Sequence, residues 1–183
     1  QQLGAVLIDG QKVTQIQIDA DWVEISTADN IFRSRLVVGA DGAYSVVARE
    51  LGMRRSMKYV AGMQSELVVS DEHLAKWKSR AQMDLGSVPG GYAWVFPKRN
   101  HLSIGVGCLF SKARNLHHYH QKFLNSLGIG NYTIARSSSH LIPTCTRGRV
   151  VLQDKALLLG DAAGFADPLT GEGIYNAIQS AQL

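Results

Sequence analysis

The sequence is poor in several features that mark particular classes of protein. Cysteine occurs only twice, as Cys108 and Cys145 in 183 residues, which excludes a disulfide framework and favours a reducing compartment. Charged residues make up only 19% of the chain and hydrophobic residues 45%, so a disordered tail is excluded and a buried core is expected. No apolar run is long enough to span a membrane. We therefore expect a cytoplasmic globular protein, and association with a membrane surface stays open.

Further absences limit the kinds of ligand and partner that the chain is expected to bind. The net charge is only +4 and no basic stripe interleaved with aromatic residues occurs, so nucleic acid is not an expected partner. His117, His118 and His120 have no acidic residue nearby, which favours an exposed helix face, and we expect no metal site. The phosphate loop Gly-x-Gly-x-x-Gly is also missing, because the glycine pairs at 105–107 and 128–130 lack its third glycine and its strand-to-helix context.

The most informative stretch that is present lies near the C-terminal end of the sequence. Residues 157–159 are an apolar run typical of a covered parallel strand. Gly160 lets the chain turn, and Asp161 then places a carboxylate at the carboxyl edge of the sheet, where open α/β sheets bind ligands. The loop that follows leads into a helix, whose N-terminus adds about half a positive charge.

The composition of that loop favours close approach by a flat ligand. Pro168 and Gly171 shape the loop, and the glycines on either side of Glu172 leave backbone N–H groups uncovered. A helix start beside this loop suits a group that becomes negative on reduction.

A second predicted strand in the sequence also ends in glycine and is followed by aspartate. Residues 35–39 are predicted to form a buried strand with an apolar run at 36–38. Asp41 and Gly42 follow, then a helix over about 44–51 that Ser45 caps. An Asp-Gly pair after a strand is by itself a common turn. Because both strands end in glycine and aspartate, we expect Asp41 and Asp161 to converge on one elongated ligand.

The segment between these stretches has the period of two that is typical of antiparallel strands. Tyr92, Trp94 and Phe96 alternate, so their rings share one face of a strand. This spacing alone fits the core face of a sheet as well as the wall of a lipid cavity. Strands are predicted over residues 13–18, 22–27 and 31–33, which would form a meander, and over 61–69, 81–85, 90–97, 101–108, 132–138 and 140–143.

Together, these stretches resemble motifs of the para-hydroxybenzoate-hydroxylase-like flavoproteins, and most closely those of the geranylgeranyl reductase branch. The resemblance covers most of the chain and implies FAD as cofactor. It implies that Asp161 holds the ribityl chain and that residues 171–174 face the pyrimidine end of the flavin. The cofactor-binding residues carried over are Asp41, Gly42, Gly160, Asp161, Pro168, Gly171, Glu172, Gly173 and Ile174. The substrate-binding residues carried over are Tyr92, Trp94, Phe96 and Pro97, which would hold a prenyl chain.

The resemblance also implies an activity, namely FAD-dependent reduction of C=C bonds in a prenyl lipid, with NADPH or ferredoxin as electron donor. No proton donor or other catalytic residue stands out in the sequence. Gly164 occupies the place where aromatic hydroxylases have a histidine, and Arg49 follows Asp41 by eight residues instead of their seven. Both departures favour the reductase branch. The alternatives are a flavin monooxygenase or halogenase on the same fold, and an inactive lipid-binding fragment.

The expected architecture is α/β (α+β), with a partial FAD/NAD(P)-binding domain and an inserted antiparallel-sheet domain. Residues 1–54 and 149–183 would form the two parts of the FAD-binding domain, and residues 55–148 the substrate-binding domain. The sequence begins without methionine and stops inside a helical segment. We therefore expect a fragment, and the resemblance implies that the phosphate loop lies upstream of Gln1.

Overall fold

The structure is a computed structural model that describes residues 4–54, 57–144 and 150–182. The chain divides into two compact units, of which the first comprises residues 1–57 and 143–183 and the second residues 58–142. The predicted domain boundaries at 54/55 and 148/149 involve residues outside the described part of the chain. Cys145 also lies outside the described residues. The assignment of FAD and substrate to separate domains stays a prediction.

The helices and strands of the described residues are numbered along the chain. In order they are β1 (Gln15–Ile18), β2 (Val23–Ser26), β3 (Ile31–Ser34), β4 (Val37–Gly39), α1 (Val46–Glu50), β5 (Lys58–Val69), α2 (Asp71–Trp77), β6 (Gln82–Asp84), β7 (Gly91–Pro97), β8 (Leu102–Leu109), a 3₁₀ helix (Phe110–Asn115), α3 (Leu116–Ser126), β9 (Tyr132–Thr144), β10 (Leu152–Gln153), β11 (Ala156–Leu158) and α4 (Ile174–Ser180). None of the helices in the described part of the chain combines the length and the apolar character needed to traverse a bilayer.

The first unit contains two small sheets. Strands β1, β2 and β3 pair antiparallel in chain order, which confirms the predicted meander. In the other sheet β11 lies between β10 and β4, antiparallel to the former and parallel to the latter. Residues 4–8 form no strand. The buried core of this unit consists of Ile16, Val23, Val37, Val47, Ala48, Met53, Ala156, Leu158 and Ala163.

The parallel pair β4–β11 depends on a glycine. Gly39 lies opposite Leu158, and Leu159 N donates a hydrogen bond of 2.9 Å to Gly39 O. A Cβ atom at position 39 would lie 2.7 Å from Leu158 Cδ2 and 2.8 Å from Val47 Cβ. Helix α1 therefore packs directly against the strand pair only because residue 39 has no side chain.

The second unit is a five-stranded sheet with the order β6-β7-β8-β5-β9. Helix α3 packs on one face, where the side chains of β8 alternate: Leu102, Ile104, Val106 and Cys108 enter the core, while Ser103, Gly105 and Gly107 lie on the opposite face. The buried core consists of Leu67, Val88, Ala93, Val95, Leu102, Ile104, Val106, Cys108, Phe123, Leu124 and Ile129.

Two expectations for this unit were wrong. The segment predicted as two strands is one strand of 13 residues, β9, because Ser139 continues the extended backbone. The histidine segment is not uniformly exposed. His120 is only 3% exposed, and its Nε2 lies 3.4 Å from Ile104 O. It occupies the inward face of α3 with Phe123 and Leu124, and burial lowers its pKa.

Substitution of Gly39 tests the packing of the first unit. Gly39→Ala should lower the free energy of unfolding by about 1–3 kcal/mol, since the added methyl group overpacks the contact between α1 and β11. Urea denaturation measures the difference. Gly86→Ala is the control, because a Cβ there meets no atom nearer than 4.0 Å. Equal effects of the two substitutions would contradict the packing argument.

Candidate functional site

The strand-end site of the first unit comprises the turns after β4 and β11 and the loop over residues 167–174. Because β4 and β11 are parallel neighbours in register, their carboxyl ends lie at the same edge of the sheet. Asp41 follows β4 and Asp161 follows β11, so the structure brings both aspartates to this edge. Such edges are where open α/β sheets bind ligands.

Asp41 has a partner that the sequence did not predict. Its Oδ2 accepts hydrogen bonds from Val46 N at 2.7 Å and from Val47 N at 3.3 Å. Ser45 Oγ accepts a further bond from Ala48 N at 2.9 Å, which confirms the predicted Ser45 cap. Asp41 therefore also helps to cap α1. Gly42 has φ +76°, a conformation that few other residues adopt at low cost.

Asp161 lies in a different environment. Its carboxylate receives no hydrogen bond from any described residue, and burial raises its pKa. A Cβ at Gly173 would lie 3.2 Å from Asp161 Oδ1. Because residue 173 is a glycine, it places no side chain in the space beside Asp161 Oδ1. An unpartnered, partly desolvated carboxylate next to such a space is suited to accept hydroxyl hydrogen bonds from a ligand.

Helix α4 packs tightly against the turn after β11. Gly160 has φ +53°, and a Cβ there would lie 3.1 Å from Ala177 Cβ. Gly160 N donates to Ser180 Oγ at 3.1 Å, and Asn176 Nδ2 donates to Phe165 O at 2.8 Å. These contacts fix the position of α4 relative to Asp161.

The loop before α4 is held by its own acidic side chains. Asp167 Oδ1 accepts bonds from Leu169 N, Thr170 N and Thr170 Oγ1 at 2.7–3.0 Å, and the bonds from Thr170 contribute most to lowering its pKa. Glu172 Oε1 accepts a bond from Tyr175 N at 2.9 Å. Glu172 thus caps α4 through its side chain, a role that the sequence did not predict.

The other predicted residues of this loop are open to solvent to different degrees. Gly171 has φ +72°, Pro168 is exposed, and Ile174 is 78% exposed. A cofactor-binding role for these three residues stays a prediction.

The second unit contains a cavity of about 480 Å³ on the sheet, which we call the sheet cavity. Of the predicted substrate residues, Trp94 lines it. Tyr92 and Phe96 flank Trp94 with ring centroids at 5.8 Å and 6.2 Å, as the alternation predicted. Together with Pro97 they are not among its described lining residues. The lining consists of Gly62, Met63, Gln64, Glu66, Trp94, His101, Arg136, Ser138, His140 and Ile142.

Glycines of β8 position the indole of Trp94. Trp94 lies opposite Gly105 in the β7–β8 register, and a Cβ at position 105 would overlap Trp94 Cζ2 and Cε2. A Cβ at Gly107 would meet Trp94 Cζ3 at an ordinary 3.6 Å. The indole therefore lies across β8 at Gly105. Its Nε1 is buried and has no hydrogen-bond partner among the residues that the structure describes.

The cavity also contains a polar cluster that the sequence analysis missed. Gln64 Nε2 donates to Glu66 Oε1 at 2.8 Å. His101 Nε2 lies 2.9 Å from Glu66 Oε2, within ion-pair distance, although this oxygen receives no hydrogen bond of suitable direction. His101 Nδ1 is 2.8 Å from Asn100 Oδ1. Gln64 and Glu66 alternate with buried residues of β5. In the sequence, this alternation is equally compatible with a strand face that is exposed to solvent.

Comparisons with known proteins agree with this geometry. The model of the geranylgeranyl reductase catalytic domain matches residues 64–138, which include the aromatic strand and most of the cavity lining. A solved structure of a geranylgeranyl bacteriochlorophyll reductase-like protein from Thermoplasma acidophilum superimposes with a TM-score of 0.76 at 22% identity, covering 92% of this chain and 45% of that chain. The predicted mixed α/β fold with antiparallel sheets, shared with FAD-dependent oxidoreductases, is confirmed.

Relatives at the sequence level define the family. The chain is 35% identical to the chloroplastic geranylgeranyl diphosphate reductase of Nicotiana tabacum, over 80% of this chain and 32% of the relative. It is 33% identical to digeranylgeranylglycerophospholipid reductase 1 of Methanococcoides burtonii, over 81% of this chain and 37% of the relative. The chain belongs to the geranylgeranyl reductase family, and it spans about a third of the length of these two relatives.

The glycines beneath Trp94 offer a matched pair of substitutions. Gly105→Ala should displace the indole and lower the free energy of unfolding by about 1–3 kcal/mol, as overpacking does elsewhere. Gly107→Ala, on the same strand and face, should have a much smaller effect. Tryptophan emission and urea denaturation measure both variants. A Gly105→Ala protein with unchanged emission and stability would contradict the placement of Trp94.

The environment of Asp161 predicts a pH-dependent gain in stability. Because burial raises the pKa of Asp161 in the folded protein, its ionisation disfavours folding at neutral pH. Asp161→Asn should therefore raise the melting temperature at pH 7 without ligand, by about 2–4 °C for each kcal/mol regained. The gain should shrink as the pH falls through the raised pKa toward 3.8, the usual aspartate value, because both states then bind the proton.

The control for this experiment is Asp154→Asn at an exposed turn. Asp154 has φ +48°, which asparagine tolerates, so the substitution removes the same charge without backbone strain. A gain of equal size in Asp154→Asn would show that net charge, not the burial of Asp161, causes the effect.

Proposed function

We propose that the protein containing this chain is an FAD-dependent reductase that saturates C=C bonds of a prenyl lipid. The names of the relatives, which are reductases of geranylgeranyl diphosphate and of a digeranylgeranyl glycerophospholipid, support the reaction and the substrate class. Since the chain spans only part of each relative, the activity of the whole protein is inferred from this part. The observation that carries the proposal is the unpartnered Asp161 carboxylate at the edge shared by β4 and β11.

The strand-end site fits part of an FAD. Asp161 would accept hydrogen bonds from ribityl hydroxyls, because its carboxylate has no described partner and Gly173 leaves the adjoining space open. Gly160 and Gly171 would let the backbone approach the cofactor closely. Asp41 and Glu172 would act chiefly through the helices they cap, by holding α1 and α4 in place. When bound, the reduced cofactor would supply the hydride for C=C reduction.

The second unit would hold the substrate. Trp94, flanked by Tyr92 and Phe96, offers a rigid apolar wall of the kind that suits an isoprenoid chain. Pro97 would act through the strand, since it pairs in register with Leu102. We propose NADPH or ferredoxin as the source of electrons, and a peripheral membrane contact because prenyl lipids partition into bilayers. The monooxygenase or halogenase alternative has weaker support, from solved structures with the same fold such as a flavin-dependent halogenase at a TM-score of 0.67.

A binding and turnover experiment tests this function. The complete protein should bind FAD stoichiometrically, and with a chemical reductant it should convert a geranylgeranyl lipid to products heavier by two hydrogens for each reduced bond. Asp161→Asn should weaken FAD binding about tenfold, the loss expected for one hydrogen bond to a charged group. Asp154→Asn should leave FAD binding unchanged. Oxygen consumption with an aromatic substrate, and no prenyl reduction, would contradict the proposal.

A further inference from the structure

What we call the floor of the sheet cavity comprises Gly62, a lining residue whose lack of a side chain is not required by packing, and the neighbouring Gly107 of β8. Gly62 of β5 lies opposite Gly107 of β8, which in turn lies opposite Tyr92 of β7. A Cβ at Gly62 would meet nothing nearer than 3.9 Å, and no left-handed backbone is present there. Neither strain nor crowding explains this glycine. Its effect is to leave the surface of β5 between β9 and Gly107 without a side chain at this position.

The far side of this floor carries polar residues in a regular array. Arg136, Ser138 and His140 alternate along β9, the edge strand, and all three line the cavity. Arg136 is the one lysine or arginine among the described lining residues, and its guanidinium forms no ion pair or hydrogen bond with them. In the same lining, Glu66 Oε1 accepts a hydrogen bond from Gln64, and Glu66 Oε2 lies within ion-pair distance of His101.

The distance between the two sides of the floor limits which ligands can contact both sides. Strands β5 and β8 lie between β9 and β7, with about 4.8 Å between neighbouring strands. Because the indole of Trp94 lies across β8, the array and the indole are about 10 Å apart across the sheet. One ligand that contacts both must be long, apolar along its length and polar at one end. A guanidinium with free N–H groups, a hydroxyl and an imidazole form a donor set suited to phosphate oxygens.

We propose that the sheet cavity binds a phosphate-bearing isoprenoid in one orientation. The phosphate lies on Arg136, Ser138 and His140, and the chain crosses the floor at Gly62 and Gly107 to reach Trp94. The isoprenoid nature of the chain rests on the proposed function, whereas the polarity of the site rests on the array and the floor. In this arrangement Arg136 determines which end of the ligand lies at β9.

Binding measurements without flavin test the orientation. Equilibrium dialysis of the complete protein compares geranylgeranyl monophosphate with geranylgeraniol, which has the same chain without the phosphate. The double variant Arg136→Gln/His140→Gln should lose at least tenfold in affinity for the phosphate and less than threefold for the alcohol. Arg114→Gln, which removes an exposed charge from the 3₁₀ helix, should change neither affinity.

A second variant tests the role of the floor separately from the role of the polar array on β9. Gly62→Leu should weaken binding of both prenyl ligands about equally, because the leucine fills the path of the chain. Inorganic phosphate should bind the wild type far more weakly than geranylgeranyl monophosphate, and tight binding of inorganic phosphate would identify a free-anion site instead of a lipid headgroup site.

Several results would overturn the inference. Unchanged phosphate affinity in the double variant, an equal loss for phosphate and alcohol, or no binding of either prenyl ligand by the wild type would each do so. Because no flavin or turnover is involved, a protein that shows the expected binding pattern but takes up no FAD would refute the proposed reductase and leave this site intact.

Discussion

The parallel pairing of β4 with β11 is the constraint on which the first unit depends. The two strands lie far apart in the sequence, and the whole second unit is inserted between them. Closing so long a loop costs conformational entropy that local contacts do not return. The pair forms because Gly39 allows α1 to pack on it and because Val37, Ala156 and Leu158 are buried there. Without this register, Asp41 and Asp161 would have no reason to lie at one edge.

The acidic side chains at that edge divide into two kinds. Asp41, Asp167 and Glu172 accept hydrogen bonds from backbone N–H groups, so they shape the turns and helix ends around the site. Asp161 receives none from the described residues, and burial raises its pKa. A folded protein seldom leaves a desolvated carboxylate without a partner unless a ligand provides one. The difference in hydrogen bonding therefore distinguishes the candidate ligand-binding aspartate from the structural ones.

The sequence predicted much of this because its strongest signals are local. Alternation identified the meander and the aromatic face of β7, and serine before a helix identified the cap at Ser45. Local sequence patterns do not show which residue a side chain will contact in the folded protein. The capping by Asp41 depends on the path of a turn, and the burial of His120 depends on which face of α3 meets the sheet.

The polar cluster of the cavity was missed for the same reason. Glu66 and His101 come together only through the pairing of β5 with β8. In the sequence, Gln64 and Glu66 look like the solvent side of a strand. Only the register shows that the adjoining positions on β8 are serine and glycine, which leave room for a cavity.

The pattern of β8 shows how one strand can serve a core and a binding surface together. Nearly all of its residues are buried, yet only alternate ones are large and apolar. Gly105 has no side chain because the indole of Trp94 occupies the space above it, and Ser103 and Gly107 on the same face are also small. A strand buried on both faces by core packing would carry large apolar residues throughout. Alternation between large apolar residues and glycine or serine in a central strand therefore indicates a sheet with one face packed and the other reserved for an aromatic side chain and a ligand.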